Sequence, residues 1–500
     1  MTFEELLTVA RNDTVTENAA QADRNSIFVC IRGARADGHR FAQTAYLNGC
    51  RYFVAEHALH LPDNAVTVLV SDTHTALAAL ACAHSGDPSR KIRVIGVTGT
   101  KGKTTTAALL SQILGFAGIR CGYIGTNGIL FGDGRSTGTR NTTPDAVTLQ
   151  ATLAEMVESG CRAVALEVSS QALKLGRVAG TVFDTCIFTN LSPDHIGPAE
   201  HPDFADYAAC KRRLFVDYPC AAVICNTDDP FAATLLSDTN AAVRVTCSVG
   251  SEADYVAENA LPYRTGTALG SCFSVRLRDR SQLFCRLPLI GDGNISNALL
   301  ALSCAVERFG ISPEKAVQAL EAAEIPGRSE VINLHGGATA VIDYAHNGIS
   351  LRRLLSDLRL YHPHRLICLF GSVGERTQLR RRELGAVAGE LADLCILTSD
   401  NPGSESPQAI ISDIAEGLTG FPTPFLAIPD RRAAIRRAVE LLQPGDILVL
   451  AGKGHERYQL IGKEKRPFCE REILLRAEKE REEVTEYADR CNPATGDPAY

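Results

Sequence analysis

A glycine-rich segment at residues 96–106, GVTGTKGKTTT, has the residue types of a phosphate-binding loop. The usual loop has a glycine five residues before Gly102, but valine stands at that position, so the spacing differs from the common form. Gly99 and Gly102 let backbone N–H groups approach phosphate oxygens, and a helix that begins near Lys103 points its positive end at them. We expect Lys103 to contact the β- and γ-phosphates of a nucleotide and the Thr104 hydroxyl to bind Mg²⁺.

The segments around the glycine loop predict the elements that position it. An apolar run, VIGVTG, leads into the loop as a strand, and TTTAALLSQILGFAG follows it with helical spacing up to Gly118. The alternative is a plain glycine turn with an exposed lysine, which does not explain why strand, glycines and helix coincide. Further strand candidates, RAVALEV, TCIFTNL and AAVICN, alternate with helices, which indicates an α/β fold with a parallel sheet.

Length and composition restrict the class of protein. The 500 residues are 45% hydrophobic and 22% charged, as expected for a soluble globular protein with more than one domain. A formal net charge of −7 argues against a nucleic-acid-binding protein, and the apolar runs are too short to cross a membrane. The 17 cysteines are scattered without a Cys-x-x-Cys pair, so we expect buried free thiols in a cytoplasmic protein.

Two polar segments mark candidate domain boundaries. GDPSRKIR at 86–93 precedes the strand of the glycine loop, and IPGRSE at 325–330 precedes a second series of strands alternating with helices. Between them, residues 255–290 contain alternating runs that predict an antiparallel pair. We therefore predict three domains, at residues 1–88, 89–324 and 325–500.

The altered spacing of the loop resembles the Thr-Gly-Thr-x-Gly-Lys-Thr loop of the Mur ligase and folylpolyglutamate synthase superfamily. The resemblance continues through blocks in the same order along most of the chain: RNTTPD (140–145), LEVSSQAL (166–173), FTNLSPDHIG (188–197), YAACKRRLF (207–215), GDGNISNALLA (291–301), IPGRSE (325–330), VIDYAHN (341–347), TSDNPGSE (398–405) and LAGKGHE (450–456). It implies a three-domain Mur ligase architecture, with a central P-loop-type parallel-sheet domain and a C-terminal Rossmann-like domain.

The last two blocks are similar to those of the branch that adds the third amino acid to a UDP-muramoyl-dipeptide in peptidoglycan synthesis. The resemblance implies that the first domain binds this carrier, the central domain ATP and the third domain the amino acid. It also implies small-molecule substrates only, with no nucleic-acid or membrane partner, and we expect a monomer. The reaction is ATP-dependent amide formation, in which an acyl phosphate makes the carboxylate reactive toward an amine.

Four residues are implied to carry catalysis and metal binding together with Thr104. Lys103 contacts the nucleotide, Glu167 at the end of the strand AVALEV resembles a Mg²⁺ ligand, and His195 resembles the ligand of a second Mg²⁺. Lys211 matches a lysine that reacts with CO₂ to become N6-carboxylysine and helps to hold Mg²⁺. This reaction requires a neutral, buried amine, whereas the sequence ACKRRLF alone would suggest basic residues facing solvent.

The remaining site residues follow from the matching blocks. ATP contacts are implied for the loop residues and for a second group: Gly99, Thr100, Lys101, Gly102, Lys103, Thr104 and Thr105, then Asn294 at the adenine, Arg328 at a hinge, and Asp343 and His346 near the nucleotide. The muramoyl-peptide is expected at Asn141, Thr142, Thr143 and Ser169, and the incoming amino acid at Arg376, Asp400, Asn401, Gly452 and Glu456.

Three positions depart from the family pattern. Asn18-Ala19-Ala20 replaces an Asp-Ser-Arg that helps to bind the uridine part, and Gln171 replaces a histidine. Gly403 replaces an arginine that, in diaminopimelate ligases, meets the distal carboxylate of the substrate. Asp400 and Glu456 could then attract a distal ammonium group, as on lysine, or a neighbouring arginine among Arg376 and 380–382 could replace the missing one.

Two other functions fit parts of this pattern. An amide ligase acting on a different carrier is favoured by Asn18-Ala19-Ala20, although the blocks DNP and GKGHE weigh against a folate enzyme. A nucleotide-binding regulator without catalysis is disfavoured because Lys103, Glu167, His195 and Lys211 are all present.

Overall fold

The structure is a computed structural model that describes residues 1–33, 36–194, 196–197, 200–375 and 378–491, with side chains up to 483. The chain divides into two compact units. Unit 1 consists of Met1–Glu258, Ser274–Leu283 and Ser296–Leu320, and unit 2 of Asn259–Phe273, Phe284–Ile295 and the chain from Glu321 onward. The three domain ranges predicted from the sequence remain a prediction.

The N-terminal part of unit 1 has its own four-stranded parallel sheet, in the order β1-β2-β3-β4. Its elements are α1 (Phe3–Ala10), β1 (Thr14–Thr16), β2 (Ser26–Val29), α2 (Ala42–Leu47), β3 (Tyr52–Ala55), β4 (Val66–Leu69) and α3 (Thr73–His84). Every residue of β2 is buried, because one face packs against α1 and α3 and the other against the region of α2.

The nucleotide-type sheet predicted around the glycine loop is present and has eleven strands. Its elements are β5 (Arg93–Thr98), α4 (Lys103–Phe116), β6 (Cys121–Gly125), β7 (Gly128–Leu130), β8 (Ser136–Thr137), α5 (Ala146–Glu158), β9 (Ala163–Glu167), α6 (Ser170–Lys174), β10 (Phe183–Phe188), α7 (Phe204–Val216), β11 (Cys220–Asn226), α8 (Phe231–Asp238), β12 (Val243–Val249), β13 (Tyr255–Thr265), β14 (Ala268–Arg276), β15 (Gln282–Leu287), α9 (Asp292–Phe309) and α10 (Pro313–Glu321).

The strand order places the two predicted motif strands side by side. The order is β15-β14-β13-β12-β11-β10-β5-β9-β6-β7-β8, and β5 pairs in parallel with both β9 and β10. Because parallel strands end at the same edge of a sheet, the glycine loop after β5, Glu167 at the end of β9 and the segment after β10 meet there.

Unit 2 contains a six-stranded sheet in the order β16-β17-β21-β18-β19-β20, in which only the β16–β17 pair is antiparallel. Its elements are β16 (Glu330–Asn333), β17 (Thr339–Asp343), α11 (Gly348–Arg359), β18 (Leu366–Phe370), α12 (Gln378–Leu391), β19 (Leu394–Leu397), α13 (Pro407–Leu418), β20 (Phe425–Ala427), α14 (Arg431–Leu441), β21 (Ile447–Ala451), β22 (Tyr458–Ile461), β23 (Glu464–Pro467) and α15 (Glu470–Cys491).

Alternate residues of this sheet enter two separate cores, one beneath α11, α12 and α13 and the other beneath α14 and α15. Helices therefore cover both faces, as in the Rossmann-like arrangement predicted for the C-terminal part. The cysteines whose side chains are described are free thiols and mostly buried, which confirms the prediction of buried free thiols. Among the described residues, no helix combines the length and apolar character needed to cross a bilayer.

Candidate active site

The glycine loop connects β5 to α4 and requires both of its glycines. Gly99 and Gly102 have φ angles of +148° and +87°, in the region that favours glycine. A Cβ atom on Gly99 would also collide with Thr189, and one on Gly102 with the side-chain amide of Asn297. The loop conformation therefore excludes side chains at these two positions.

The segment after β10 holds the loop in place. Asn190 accepts hydrogen bonds from the backbone N–H groups of Thr100, through its carbonyl at 2.8 Å, and Lys101, through its side chain at 3.0 Å. The Lys101 ammonium group lies 3.0 Å from an Asp194 carboxylate oxygen. The loop is thus preformed by contacts within the protein.

Two lysine side chains converge on one backbone carbonyl of the loop. Lys103 Nζ donates to Gly99 O at 2.9 Å and to Thr100 O at 3.1 Å. Lys211 Nζ, from α7, donates to the same Gly99 oxygen at 2.8 Å and lies 4.5 Å from the centre of the Tyr207 ring. Burial, with the positive charge of Lys103, lowers the pKa of Lys211 well below its ordinary value.

Glu167 is fully buried at the end of β9 and lies beside the helix of the loop. Its carboxylate accepts hydrogen bonds from Thr104 Oγ1 at 2.9 Å and from Tyr123 OH at 2.5 Å. The backbone N–H and hydroxyl of Thr126 also donate to it, at 2.8 Å and 3.2 Å. The structure therefore brings Thr104 and Glu167 together, with Thr105 buried in the same turn of α4. Sequence reasoning missed Tyr123 and Thr126, which lie outside the motif blocks.

The residues predicted to hold the muramoyl-peptide lie next to Glu167. Thr143 Oγ1 donates to the Glu167 carbonyl at 2.7 Å and accepts from the Ser169 N–H at 3.0 Å. Thr142 Oγ1 lies 3.1 Å from Thr126 Oγ1, whereas Asn141 is exposed. Arg177, which sequence reasoning also missed, donates to the Thr143 carbonyl at 3.1 Å.

A buried histidine links α6 to the helix that carries Lys211. His201 Nε2 lies 2.9 Å from Ser170 Oγ, and its Nδ1 lies 2.7 Å from Asp206 Oδ2. Cys210 joins His201 and Asp206 in a group whose ligand atoms lie within 4.8 Å of one another, a spacing that could hold a metal ion. Because both ring nitrogens of His201 already have partners, we assign it to a hydrogen-bond network. Two predicted site residues, His195 and Arg376, lie outside the described residues.

In unit 2, the residues predicted near the nucleotide surround Tyr344. The Arg328 guanidinium lies 4.7 Å from the centre of the Tyr344 ring, and His346 Nδ1 lies 2.8 Å from the Tyr344 carbonyl oxygen. Asp343 accepts from the Ser329 N–H at 2.7 Å, and burial raises the pKa of Asp343 against the opposing charge of Arg328. Asn294 donates to the carbonyl oxygen of Ile290 at 2.9 Å.

The predicted amino-acid residues of unit 2 are joined by a lysine that sequence reasoning missed. Asn401 Nδ2 donates to Glu456 Oε2 at 2.9 Å. Lys453 Nζ donates to Asn401 Oδ1 at 3.0 Å and to Glu456 Oε2 at 2.9 Å, and lies 3.6 Å from Asp400 Oδ1. Gly452 has a φ of +111° and approaches Asp400 closely. The two carboxylates expected to attract a distal ammonium group therefore already share one ammonium group.

The position of the replaced arginine lies beside this cluster. Gly403 has a φ of +59° and exchanges backbone hydrogen bonds with the strand region of β22. Of the arginines proposed as substitutes, Arg381 is buried and pairs with Glu405 at 2.7 Å and Asp413 at 2.8 Å. Those two carboxylates occupy its guanidinium group, so it does not replace the missing arginine.

Comparison with known proteins agrees with this geometry. Residues 97–305 match the Mur ligase middle domain, and residues 327–454 match the Mur ligase, glutamate ligase domain. The chain is 37% identical over 465 residues to the UDP-N-acetylmuramoyl-L-alanyl-D-glutamate--2,6-diaminopimelate ligase of Geobacillus kaustophilus, covering 91% of this chain and 92% of the relative. It is 39% identical over 470 residues to the enzyme of the same name from Chlorobaculum tepidum, covering 92% and 91%.

Solved structures show the same architecture. A structure of a UDP-N-acetylmuramoyl-L-alanyl-D-glutamate--2,6-diaminopimelate ligase matches with a TM-score of 0.67 and 28% identity, covering 94% of this chain and 95% of the other. The MurF ligase from Thermotoga maritima in complex with ADP shares the fold, with a TM-score of 0.61 at 18% identity and coverage of 95% and 99%. The predicted fold class is confirmed, and the chain belongs to the Mur ligase family.

Proposed function

We propose that this protein is an ATP-dependent amide ligase that joins a diamino acid to UDP-N-acetylmuramoyl-L-alanyl-D-glutamate, forming ADP and phosphate. The observation that carries the proposal is the similarity to ligases of that name over nine-tenths of both chains. The convergence of the glycine loop, Glu167 and Lys211 at one sheet edge supports it. The activity belongs to peptidoglycan synthesis.

The chemistry assigns a task to each part of the site. A carboxylate does not acylate an amine at neutral pH, so the γ-phosphoryl group of ATP is transferred to the carrier's carboxylate, and the amine then displaces phosphate. The glycine loop and Lys103 bind the transferred phosphate and neutralise its charge. Thr143 and Ser169 lie where they can position the carrier beside Glu167. Catalysis is mainly positioning and charge neutralisation.

The donor set beside the loop fits Mg²⁺. The Thr104 hydroxyl and the Glu167 carboxylate are 2.9 Å apart, and both are hard oxygen ligands of the kind Mg²⁺ prefers. The ion would neutralise phosphate charge during transfer. We assign His195 to a second ion by resemblance. Asn294, Arg328, Asp343 and His346 are proposed as further nucleotide contacts.

Lys211 fits the proposed carbamate because it is almost fully buried, and burial lowers its pKa well below the ordinary value, which favours the neutral amine that reacts with CO₂. The carbamate would place a negative charge at the glycine loop, where Lys211 Nζ contacts Gly99 O. The same residue that holds Gly99 O would then help Glu167 to hold the metal ion.

The carbamate is tested by substitution and chemical rescue. We expect Lys211→Ala to lose most of the ligase activity and small carboxylates added to the assay to restore part of it, because they can take the place of the carbamate. Arg212→Ala is the matched control, since Arg212 lies next in α7 but pairs with Asp238 near the surface. A Lys211→Ala variant as active as the parent would exclude this metal site.

The function itself is tested by ADP release from purified protein, with UDP-muramoyl-peptides of different lengths and with meso-diaminopimelate, lysine and monoamino acids. We expect release only when UDP-N-acetylmuramoyl-L-alanyl-D-glutamate and a diamino acid are both present. Release with another carrier would favour the alternative, a ligase of another pathway, and Asn18-Ala19-Ala20 is the feature that motivates it. Absence of turnover with intact ATP binding would favour a regulator.

We further propose that residues 1–88 bind the carrier, 89–324 bind ATP and 325–500 bind the amino acid. Arg376, Asp400, Asn401, Gly452 and Glu456 are proposed as the amino-acid pocket. We propose a cytoplasmic location, and the free thiols support it because the cytoplasm is reducing. We propose a monomer, and light scattering in solution tests it.

A further inference from the structure

Lys453 is a fully buried lysine in unit 2, at the carboxyl end of the central strand β21. A buried ammonium group is costly unless it is paired and hydrogen-bonded. Its side chain also packs between two rings, with Nζ 5.8 Å from the centre of Tyr458 and 5.9 Å from that of Phe468. The protein therefore excludes water from this charge and compensates it from within.

The partners of Lys453 come from two different loops. Asp400 and Asn401 follow β19, whereas Glu456 follows β21, and β18 separates these two strands in the sheet. Lys453 Nζ contacts Asn401 at 3.0 Å, Glu456 at 2.9 Å and Asp400 at 3.6 Å. Asn401 is held from a third side, because its Oδ1 also accepts from the Leu460 N–H at 2.9 Å. One ammonium group thus fixes the relative positions of both loops.

The charged groups around Lys453 have a net negative charge. Asp400 and Glu456 carry two negative charges and Lys453 one positive charge, so the cluster has a net charge of about −1 when all three are ionised. The neighbouring pair of Arg431 and Glu470, 2.8 Å apart and fully buried, adds no net charge. One negative charge remains for an ammonium group of the incoming amino acid.

We propose that Lys453 is a positioning residue of the amino-acid pocket, which holds Asn401, Glu456 and Asp400 in the arrangement that receives the incoming amino acid. The proposal rests on the proposed function for the pocket's ligand and adds the residue that organises it. Lys453 acts through its three partners and need not touch the substrate. Removing it leaves the buried Asp400 and the partly buried Glu456 without their shared counter-charge, so the two loops lose their common anchor.

The test compares Lys453→Met, which removes charge and donor, with Lys453→Gln, which keeps a donor but no charge. Lys463→Met is the control, because Lys463 is an exposed lysine in the turn between β22 and β23. We expect KM for the amino acid to rise roughly tenfold or more in Lys453→Met, with KM for ATP and carrier changed by less than about twofold. Lys453→Gln should fall between Lys453→Met and the parent, and Lys463→Met should equal the parent.

Two results overturn the proposal. One is an unchanged KM for the amino acid in both Lys453 variants. The other is a loss of kcat with all three KM values unchanged, which a general structural role would give. Thermal unfolding checks each variant, and if Lys453→Met does not fold, Lys453→Gln decides on the same criterion.

Amino-acid binding measured by calorimetry without carrier separates this proposal from the proposed function. If the parent binds meso-diaminopimelate or lysine but does not ligate either to the carrier, the proposed function is wrong. The proposed role of Lys453 is then still tested, because its variants should lose amino-acid binding. If the parent binds neither amino acid and ligates neither, both proposals fall.

Discussion

The side chain of Lys103 lies half-buried at the first turn of α4 and donates to the backbone carbonyls of Gly99 and Thr100 in its own loop. We expect Lys103→Ala to abolish ligation and leave the fold intact, because the proposed role of its charge is to bind the transferred phosphate, whereas the loop is held by Asn190. A preorganised charge of this kind contributes roughly a hundredfold or more to kcat. ADP release and thermal unfolding measure the two effects, and normal turnover would contradict the assignment of the loop.

We expect Gly403 to decide how the proposed amino-acid pocket treats a distal carboxylate. We expect the parent to use lysine or a similar diamino acid at least as well as meso-diaminopimelate, and Gly403→Arg to shift preference toward the latter, since a guanidinium group pairs with a carboxylate through two hydrogen bonds. The variant also strains a backbone with φ of +59°. Gly403→Ala has the same strain without the charge and is the control.

The measurement for Gly403 is the ratio of kcat/KM values for the two amino acids in parent and variants. A strong preference of the parent for meso-diaminopimelate, as the names of its relatives suggest for those enzymes, would refute the inference from Gly403. A shift in Gly403→Ala equal to that in Gly403→Arg would assign the effect to the backbone.

Residue types in motifs predicted some contacts of the site but not others. Glu167 and Thr104 were named from their blocks, and the structure places them 2.9 Å apart. Lys453 was overlooked because a lysine between two glycines is typical of an exposed loop. Its burial depends on rings of Tyr458 and Phe468 that arrive from later elements, which no local pattern contains.

The short turn at Ala19–Gln21 connects β1 and β2 and replaces the Asp-Ser-Arg segment. Asn18 Oδ1 caps it by accepting from the Ala20 N–H at 3.1 Å, and the Ala19 carbonyl accepts from Asn48 at 2.8 Å. The turn is therefore formed without the serine and arginine. We expect carrier binding weaker than in a relative with Asp-Ser-Arg by ~1–3 kcal/mol, the contribution of unreplaced buried hydrogen bonds.

Titration of UDP-N-acetylmuramoyl-L-alanyl-D-glutamate into the parent and Ala19→Ser measures this difference, and Ala22→Ser, in the same segment but after the turn, is the control. We expect Ala19→Ser to bind more tightly than the parent. Equal affinity in the parent and the relative would mean that other side chains compensate.

At the level of elements, the strand–loop–helix pattern predicted β5 and α4 because local periodicity and glycine positions agree there. The polar segment 86–93 was less informative. Its composition indicates an exposed domain boundary, yet Pro88 and Ser89 are buried, and Ser89 Oγ accepts from the Val182 N–H at 3.2 Å. Residues almost a hundred positions away along the chain determine whether this segment is buried. Its composition alone therefore does not predict its burial.

For the molecule as a whole, the stability of unit 2 should depend on pH through Asp357. Burial raises the pKa of this carboxyl to about 6, with Asp292 adding to the shift and Arg353 opposing it. The folded state therefore binds more protons than the unfolded state between the ordinary pKa of about 4 and about 6, so stability falls as pH rises through this window and is level above it.

We expect Asp357→Asn to remove this decrease and to stabilise the protein near neutral pH, because the amide needs no charge in the buried site. The unfolding temperature at pH 4 to 7 measures this effect, and Asp63→Asn is the control, because Asp63 is exposed. A parent with level stability from pH 4 to 6 would contradict the role of Asp357.

Lys103 and Lys211 both donate to the carbonyl oxygen of Gly99, at 2.9 Å and 2.8 Å. Because of this arrangement, we expect the activity of the enzyme to depend on how it is prepared. The positive charge of Lys103 disfavours a second charge on Lys211, and the proposed reaction of Lys211 with CO₂ would give it a negative charge that Lys103 attracts. If Lys211 forms the proposed carbamate, enzyme purified in degassed buffer should start slowly and accelerate after bicarbonate is added, whereas enzyme stored with bicarbonate should start at full speed. The amount of CO₂ dissolved in the sample would then change the initial rate measured in the assay.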